Sequence, residues 1–339
     1  MRFSTSAFAP ACTSPNHCEA DPLRLYPDAS GGEAAVTRYR VFPGMELDYR
    51  DVHARACREL RDGSGEQLEI HHCLEGRVEY RQNGRYFYLS PGDLAVARTS
   101  SLPPDSRFPT GHYHGITVTI DPAAAPECLS CILSDVEVRP ATLMEKLCPG
   151  GTVFTARSSR RVKHVFSELY AVPEDIRKGY LKVKLLELLL FLSTLSPEDG
   201  QTPHGCTAAQ VSLAEQVKAR LLAEPDRTLT LKSLSQQFNV SEAQIKSSFA
   251  GVYGMSPAAY ARSQRMHGAA ALLRETDRTV LDIACQFGYD NASKFARAFR
   301  DVIGVSPREY RAGAEYDSCA PQLGEKPVSL SDADVERRI

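Results

Sequence analysis

Two sets of side chains in this 339-residue chain have the types and spacing to do chemistry. The first set is imidazole and carboxylate: His71, His72, Glu75 and Glu79, then His112 and His114. Such groups are the usual donors to zinc, copper and non-haem iron. His112 and His114 are two residues apart and would share one face of a strand. The second set is polar and basic: Asn291, Ser293, Lys294, Arg297 and Arg300, interleaved with Phe295 and Phe299. In a helix, rings four apart point one way and the polar groups the other. Guanidinium, ammonium and amide groups on one helix face can meet phosphate oxygens and base edges. Cys128 and Cys131 have metal or redox spacing, but no second pair follows at zinc-site spacing. Free thiols or small buried side chains are the expectation for them.

The second set needs a turn to present it, and the sequence supplies one. Thr279 with Asp282 forms a capping box before Val280, and Ile283, Ala284 and Phe287 fall on one helical face. Gly288 can take a left-handed conformation and stop that helix. Asp290 or Asn291 can cap the next, whose inward residues are Phe295 and Phe299. A short helix, a glycine turn and a basic second helix is the layout of a helix-turn-helix. Phe249, Gly254, Ser256, Pro257 and Tyr260 recur fifty residues later as Phe299, Gly304, Ser306, Pro307 and Tyr310. Leu231, Leu234, Ser235 and Phe238 recur at an offset of forty-nine as Val280, Ile283, Ala284 and Phe287. An internal repeat is one structural unit used twice.

With these residues in place, 207–312 resembles the DNA-binding domain of the AraC/XylS family of bacterial transcription regulators. The pattern reads Ile283-Ala284, Phe287-Gly288-Tyr289, Phe295, Phe299, Gly304, Ser306-Pro307 and Tyr310-Arg311, with Arg265, Ala269, Leu272 and Leu273 in the linking helix. The first unit is looser. Ser235 stands where the family has Ala, Asn239 where it has Gly, and Gly251 is expected to interrupt the first recognition helix. By position, the resemblance puts Ala243, Lys246 and Ser247 of unit one, and Asn291, Ser293, Lys294 and Arg297 of unit two, toward bases. Arg262 and Arg300 are expected on phosphate, and Arg265 on a carboxylate inside the domain. Ser256 and Pro257 open a linking helix to about Arg274. Its eighteen residues would span roughly 27 Å.

Composition agrees without deciding. Hydrophobic residues make up 42% and charged residues 24%, as in ordinary globular proteins. Residues 207–312 hold 14 Lys and Arg against 10 Asp and Glu, while the rest holds 26 against 32. A module of charge +4 on a body of charge −6 fits nucleic-acid binding by the module alone. No run of about eighteen apolar residues marks a membrane span. The N-terminus is too weakly apolar for a signal peptide, so the expected location is cytoplasmic, with reduced thiols.

From Ala34 to Asp121 the pattern is β, with Asn83-Gly84 the clearest hairpin turn. The order of Leu74-Glu75-Gly76, hairpin, and Tyr88 to Asp93 resembles the cupin-like sensory domain found in many members of the same family. It implies a β-barrel able to take a small effector, with His72, Tyr80, His112 and His114 as candidate contacts. A metal-binding cupin would place its last histidine after Pro91-Gly92-Asp93, where Ala95 and Val96 stand. No metal, cofactor or catalytic residue is therefore expected. The competing class is a cupin-type metalloenzyme, or a metal or redox sensor, joined to a DNA-binding domain.

The expected architecture is α+β. A disordered arm (1–30) precedes a cupin-like barrel (31–150) and a helical segment (151–195) for packing or dimerisation. A linker (196–206), the double helix-turn-helix domain (207–312) and a flexible tail (313–339) follow. Cys128 to Leu133 reads as a short helix. The broad apolar face of Glu174 to Leu195 must be buried, on the barrel, in a homodimer, or both. The partners implied are double-stranded DNA, RNA polymerase, a small effector and a second copy of the chain, with no membrane.

Overall fold

Period-two alternation and turn residues set the N-terminal half into strands, and period 3.6 sets the C-terminal third into helices. The computed structural model describes residues 22–61, 65–126, 138–200, 205–223 and 229–318. Cys12, His17, Cys18, Cys128 and Cys131, with the helix expected from Cys128, lie outside the described residues. The strands are β1 (Leu23–Leu25), β2 (Ala29–Ser30), β3 (Glu33–Phe42), β4 (Met45–His53), β5 (Ala56–Arg58) and β6 (Leu68–Gly76). Then come β7 (Val78–Gln82), β8 (Arg85–Leu89), β9 (Leu94–Arg98), β10 (Asp105–Arg107), β11 (Tyr113–Ile120) and β12 (Phe154–Ala156). The helices before the linker are α1 (Pro140–Leu147), α2 (Arg160–Ser167) and α3 (Arg177–Thr194). After it come α4 (Ala208–Ala223), α5 (Leu231–Phe238), α6 (Glu242–Tyr253), α7 (Pro257–Glu275), α8 (Val280–Gln286), α9 (Ala292–Ile303) and α10 (Pro307–Ser318). The class is α+β. Among the described residues no helix is long and apolar enough to cross a membrane.

The chain divides into two units, 1–215 with 243–255, and 216–242 with 256–339. In the first unit the main sheet has seven antiparallel strands in the order β1-β3-β4-β11-β6-β9-β12. A three-stranded sheet β10-β5-β2 and the hairpin β7-β8 complete it. The closed barrel expected from the sequence is therefore not formed. The main sheet ends on β1 and β12, and β5 and β10 are three-residue strands that pair with each other. Strands this short cannot carry the continuous pairing that closure requires. Strand pairing also begins before residue 31, where the barrel was expected to start, since β1 joins β3 and β2 joins β5. The hairpin forms as read, with Asn83 at φ 50° and Gly84 at φ 71°, the conformation a two-residue turn requires.

One face of the main sheet is apolar. Met45, Leu47, Ile70, Val96, Ile116 and Val118 pack there against Leu143, Phe166 and the row Leu181, Leu185, Leu188 and Leu192 of α3. The other face carries Val52, Cys73, Tyr80, Phe108 and Tyr113, with buried ion pairs among them. Arg38 grips Asp48 through Nε and Nη2, each at 2.9 Å. Arg50 Nη1 donates to Glu59 at 2.9 Å, and Arg61 Nε to Glu69 at 2.8 Å. Burial alone would raise the Glu69 pKa, but its hydrogen bond and charge interaction with His71, then the charge of Arg61, bring it down to about 2.

Candidate nucleic-acid interface

In the second unit α8 and α9 form the helix-turn-helix that the sequence describes. Thr279 Oγ1 accepts the backbone N–H of Asp282 at 3.1 Å, starting α8. Gly288 follows at φ 78°, in the left-handed region where a side chain is strained. Asn291, not Asp290, caps α9: its Oδ1 accepts the N–H groups of Ser293 and Lys294. Phe295 and Phe299 are fully buried with Met266, Leu273, Ile283 and Ala284. Their rings continue an aromatic row, Tyr289 to Phe295 at 5.6 Å, Phe295 to Phe299 at 5.7 Å and Phe299 to Tyr310 at 5.7 Å. Arg311 closes the domain by donating to the carbonyls of Leu273 at 3.2 Å and Arg278 at 2.6 Å, which satisfies groups beyond the end of α7.

That core leaves the other face of α9 to solvent. Ser293, Lys294, Arg297 and Arg300 are all exposed, and so is Asn291 at its start. Arg262 on α7 is exposed as well. Arg265 is half-buried and its Nε has no hydrogen-bond partner among the described residues.

The first repeat has the same parts. Thr230 caps α5 by accepting the N–H of Ser233 at 3.1 Å. Asn239 ends α5 at φ 51°, so it does the work of the expected glycine; asparagine is one of the few residues that tolerates this region. Ala243, Lys246 and Ser247 of α6 are exposed, while Ile245 and Phe249 are buried. Gly251 does not interrupt α6, which runs unbroken from Glu242 to Tyr253. A glycine is needed there for another reason: a Cβ on it would lie 2.6 Å from Cys206 Sγ. Arg77 of the β region donates to the Gly251 carbonyl at 3.1 Å, a cation at the C-terminal end of a helix. Neither contact is legible from spacing, because both join segments far apart in the chain.

The four candidate effector contacts are not brought together. His72 lies on the apolar face, stacked on Phe166 at 4.1 Å and bonded through Nδ1 to the Tyr170 hydroxyl at 2.9 Å. Burial pushes its pKa down to about 4, so it is a neutral packed side chain. Tyr80 is buried against His71 and borders a void of only about 20 Å3. His114 is bonded to Asp51 at 3.2 Å near the sheet surface. Only His112 lines a sizeable cleft, of about 730 Å3, with Glu75, Arg77, Tyr88, Arg157 and, in the same unit, Gly251 and Tyr253 of α6 and Gly254 and Met255 just after it. Burial, and then the neighbouring His114, hold the His112 pKa below its ordinary value.

Burial also pushes the thiols of Cys57 and Cys148 up to about 11 and that of Cys73 up to about 12. Such thiols stay protonated near neutrality and are poor redox sensors.

A family model described as a helix-turn-helix domain matches residues 234–313. An uncharacterised helix-turn-helix transcriptional regulator of Escherichia coli K12, YdiP, is 34% identical over 275 residues, which cover 77% of this chain and 88% of that protein. Transcriptional regulator Rob of Salmonella typhimurium LT2 is 32% identical over 93 residues, 27% of this chain and 32% of that protein. Against Rob and its like, then, the chain spans about a third of the relative's length. Among solved structures, one described as a probable AraC family transcriptional regulator from Rhodopseudomonas palustris is 31% identical. It covers 30% of this chain and 97% of that chain, with a TM-score of 0.29. The double helix-turn-helix and the match along YdiP define a transcription regulator of the helix-turn-helix class. The chain belongs to the AraC/XylS family.

Proposed function

We propose that the chain is a sequence-specific regulator of transcription that reads double-stranded DNA through α6 and α9. The observation that carries this reading is the exposed face of α9. Two rings lock one side into the core, and the outer side exposes Ser293, Lys294, Arg297 and Arg300, with Ala292 and Asp301 exposed beside them. Arg297 reads a guanine through its planar fork, Ser293 and Lys294 contact a base or phosphate, and Arg300 and Arg262 hold phosphates. In the first unit Ala243, Lys246 and Ser247 take the same part. Helix α7, with 19 residues, is about 28 Å long, comparable to one turn of DNA at about 34 Å. No catalytic role is needed. Capture of genomic fragments by the purified full chain tests the reading. Recovery of one recurrent motif supports it, and recovery of random fragments with a steep salt dependence alone argues against base reading.

The finer reading is control by a small molecule in the cleft beside His112. Arg77, Arg157 and His112 there suit a carboxylate or phosphate group. A ligand in that cleft would touch α6 directly, because Ala250, Gly251 and Tyr253 form part of its wall. Anionic metabolites that raise the melting temperature of the wild type, and fail to do so in Arg157→Ala, are the expected result. A second copy of the chain through α3, and RNA polymerase, are the further partners of this reading.

A further inference from the structure

Asp51, His53 and His114 meet at the end of the sheet face that the helices cover. Asp51 and His53 are two apart in β4 and so share a face. His114 is the register partner of Asp51 in β11. Further along the same pair of strands that face buries Leu47 and Tyr49 opposite Val118 and Ile116. At Asp51 the apolar cover stops, and His53 and Asp51 have side chains 63% and 60% exposed.

The distances are those of a ligand set. Asp51 Oδ1 lies 3.0 Å from His53 Nε2 and 3.2 Å from His114 Nδ1. The two imidazoles stand edge to face, with centroids 5.1 Å apart. One donor atom from each of the three lies within 4.8 Å of the others. A tetrahedral ion bonded at about 2.0–2.1 Å needs donors about 3.4 Å apart, which small side-chain rotations provide. Two imidazoles and one carboxylate are borderline donors that favour zinc and its neighbours over magnesium or calcium, and they leave a position open for water or a further ligand. Strand pairing fixes all three Cα atoms in advance, so binding does not have to order a loop.

We infer that Asp51, His53 and His114 form a binding site for a divalent transition-metal ion of the zinc type on the sensor sheet. Of the histidines considered from sequence the site uses only His114; His71 and His72 are buried away from it on opposite faces of β6. It adds a ligand class to the regulator without depending on DNA recognition.

The test is titration of the chelator-treated full chain with zinc, followed by calorimetry, beside His53→Gln/His114→Gln and Asp51→Asn. Asp51 and His53 are exposed and His114 is half-buried, so circular dichroism checks that the variants keep the fold. The thiols supply competing sites, so the decisive quantity is the difference between variants. The expected result is loss of one zinc equivalent in both variants, with magnesium giving no heat in any. Equal zinc stoichiometry and affinity in wild type and double variant would overturn the site and leave only histidine–carboxylate ion pairs.

Discussion

The side-chain oxygen of Asn291 accepts the backbone N–H of Ser293 at 2.7 Å. It also takes that of Lys294 at 3.3 Å, so it satisfies two of the donors that open α9. Its amide oxygen is thereby spent on the helix, and only the NH2 group is left for a base. Asn291→Ala should cost about 1 kcal/mol of stability, and Asn291→Ser should retain most of it. Because Ser293 and Lys294 ride on the capped turn, Asn291→Ala should also weaken binding to every DNA sequence. Urea melts and duplex titrations check both. An alanine variant with full stability and altered base preference would make Asn291 a reader instead of a cap.

Arg297 lies two residues from each of the buried rings Phe295 and Phe299, and its side chain is exposed. Arg297→Ala should leave the melting curve unchanged. On the specific duplex it should cost about 1–3 kcal/mol and relax preference at one base pair. Titrations on specific and random duplexes at several salt concentrations separate the outcomes. Equal loss on both, with a salt slope lower by about 1, would make Arg297 a phosphate contact and shift base reading to Lys294 or Ser293.

The second helix-turn-helix was legible nearly residue by residue, because caps, a glycine turn and paired rings are local signals. Thr279, Gly288, Phe295 and Phe299 each hold the place that spacing assigned. The strand-rich half was less legible. His72 and His114 looked equivalent as polar residues in strands, yet one is stacked under Phe166 and the other bonded to Asp51. Register decides which strand residues meet, and register between distant strands is not written in alternation alone. His53 was invisible as a ligand for that reason. Gly251 misled because a glycine in a helix reads as a weak point, whereas close approach of Cys206 demands it.

His72 gives the fold a pH dependence of known sign. Its pKa is lowered to about 4 in the fold, against about 6.5 in an unfolded chain. Between these values the unfolded chain binds more protons, so stability falls as the pH drops from about 6.5 toward 4. The whole effect is on the order of 3 kcal/mol. Glu69 contributes only below about 4.5, because its pKa is lowered to about 2. Urea unfolding between about pH 4.5 and 6.5 therefore reports on His72 together with His112, whose pKa burial also lowers, and the His72 share is the difference between wild type and a His72 variant. His72→Phe keeps the stack on Phe166 and should flatten the slope. An unchanged slope would assign it to another group.

Helix α3 buries Leu181, Leu185, Leu188 and Leu192 on the sheet and leaves Val183 62% exposed, with Leu186 and Leu190 half-buried. An apolar outer strip on a packed helix suits a second copy. Val183→Lys with Leu186→Lys should give monomers by light scattering, with the melting temperature little lowered because the sheet-facing row is intact. A monomeric wild type at micromolar concentration would rule this interface out.

The contact between Gly251 and Cys206 yields a change of sign. In a free helix, Gly→Ala is favourable by about 0.5–1 kcal/mol. Here the added Cβ would lie 2.6 Å from Cys206 Sγ, well inside contact distance. The Cys206 backbone is held by two hydrogen bonds with Tyr86, at 2.8 and 2.9 Å, so Sγ can withdraw only by rotating about χ1 in a buried site. Gly251→Ala should therefore destabilise the chain by about 1–3 kcal/mol, the range for overpacking. In a Cys206→Ala background Sγ is gone, and the same substitution should become neutral or favourable. The four proteins of this cycle, measured by urea unfolding, give the coupling directly. An effect of Gly251→Ala that is the same in both backgrounds would show that Cys206 does not set the requirement. The cost would then lie elsewhere, with the Arg77 bond to the Gly251 carbonyl as the next group to remove.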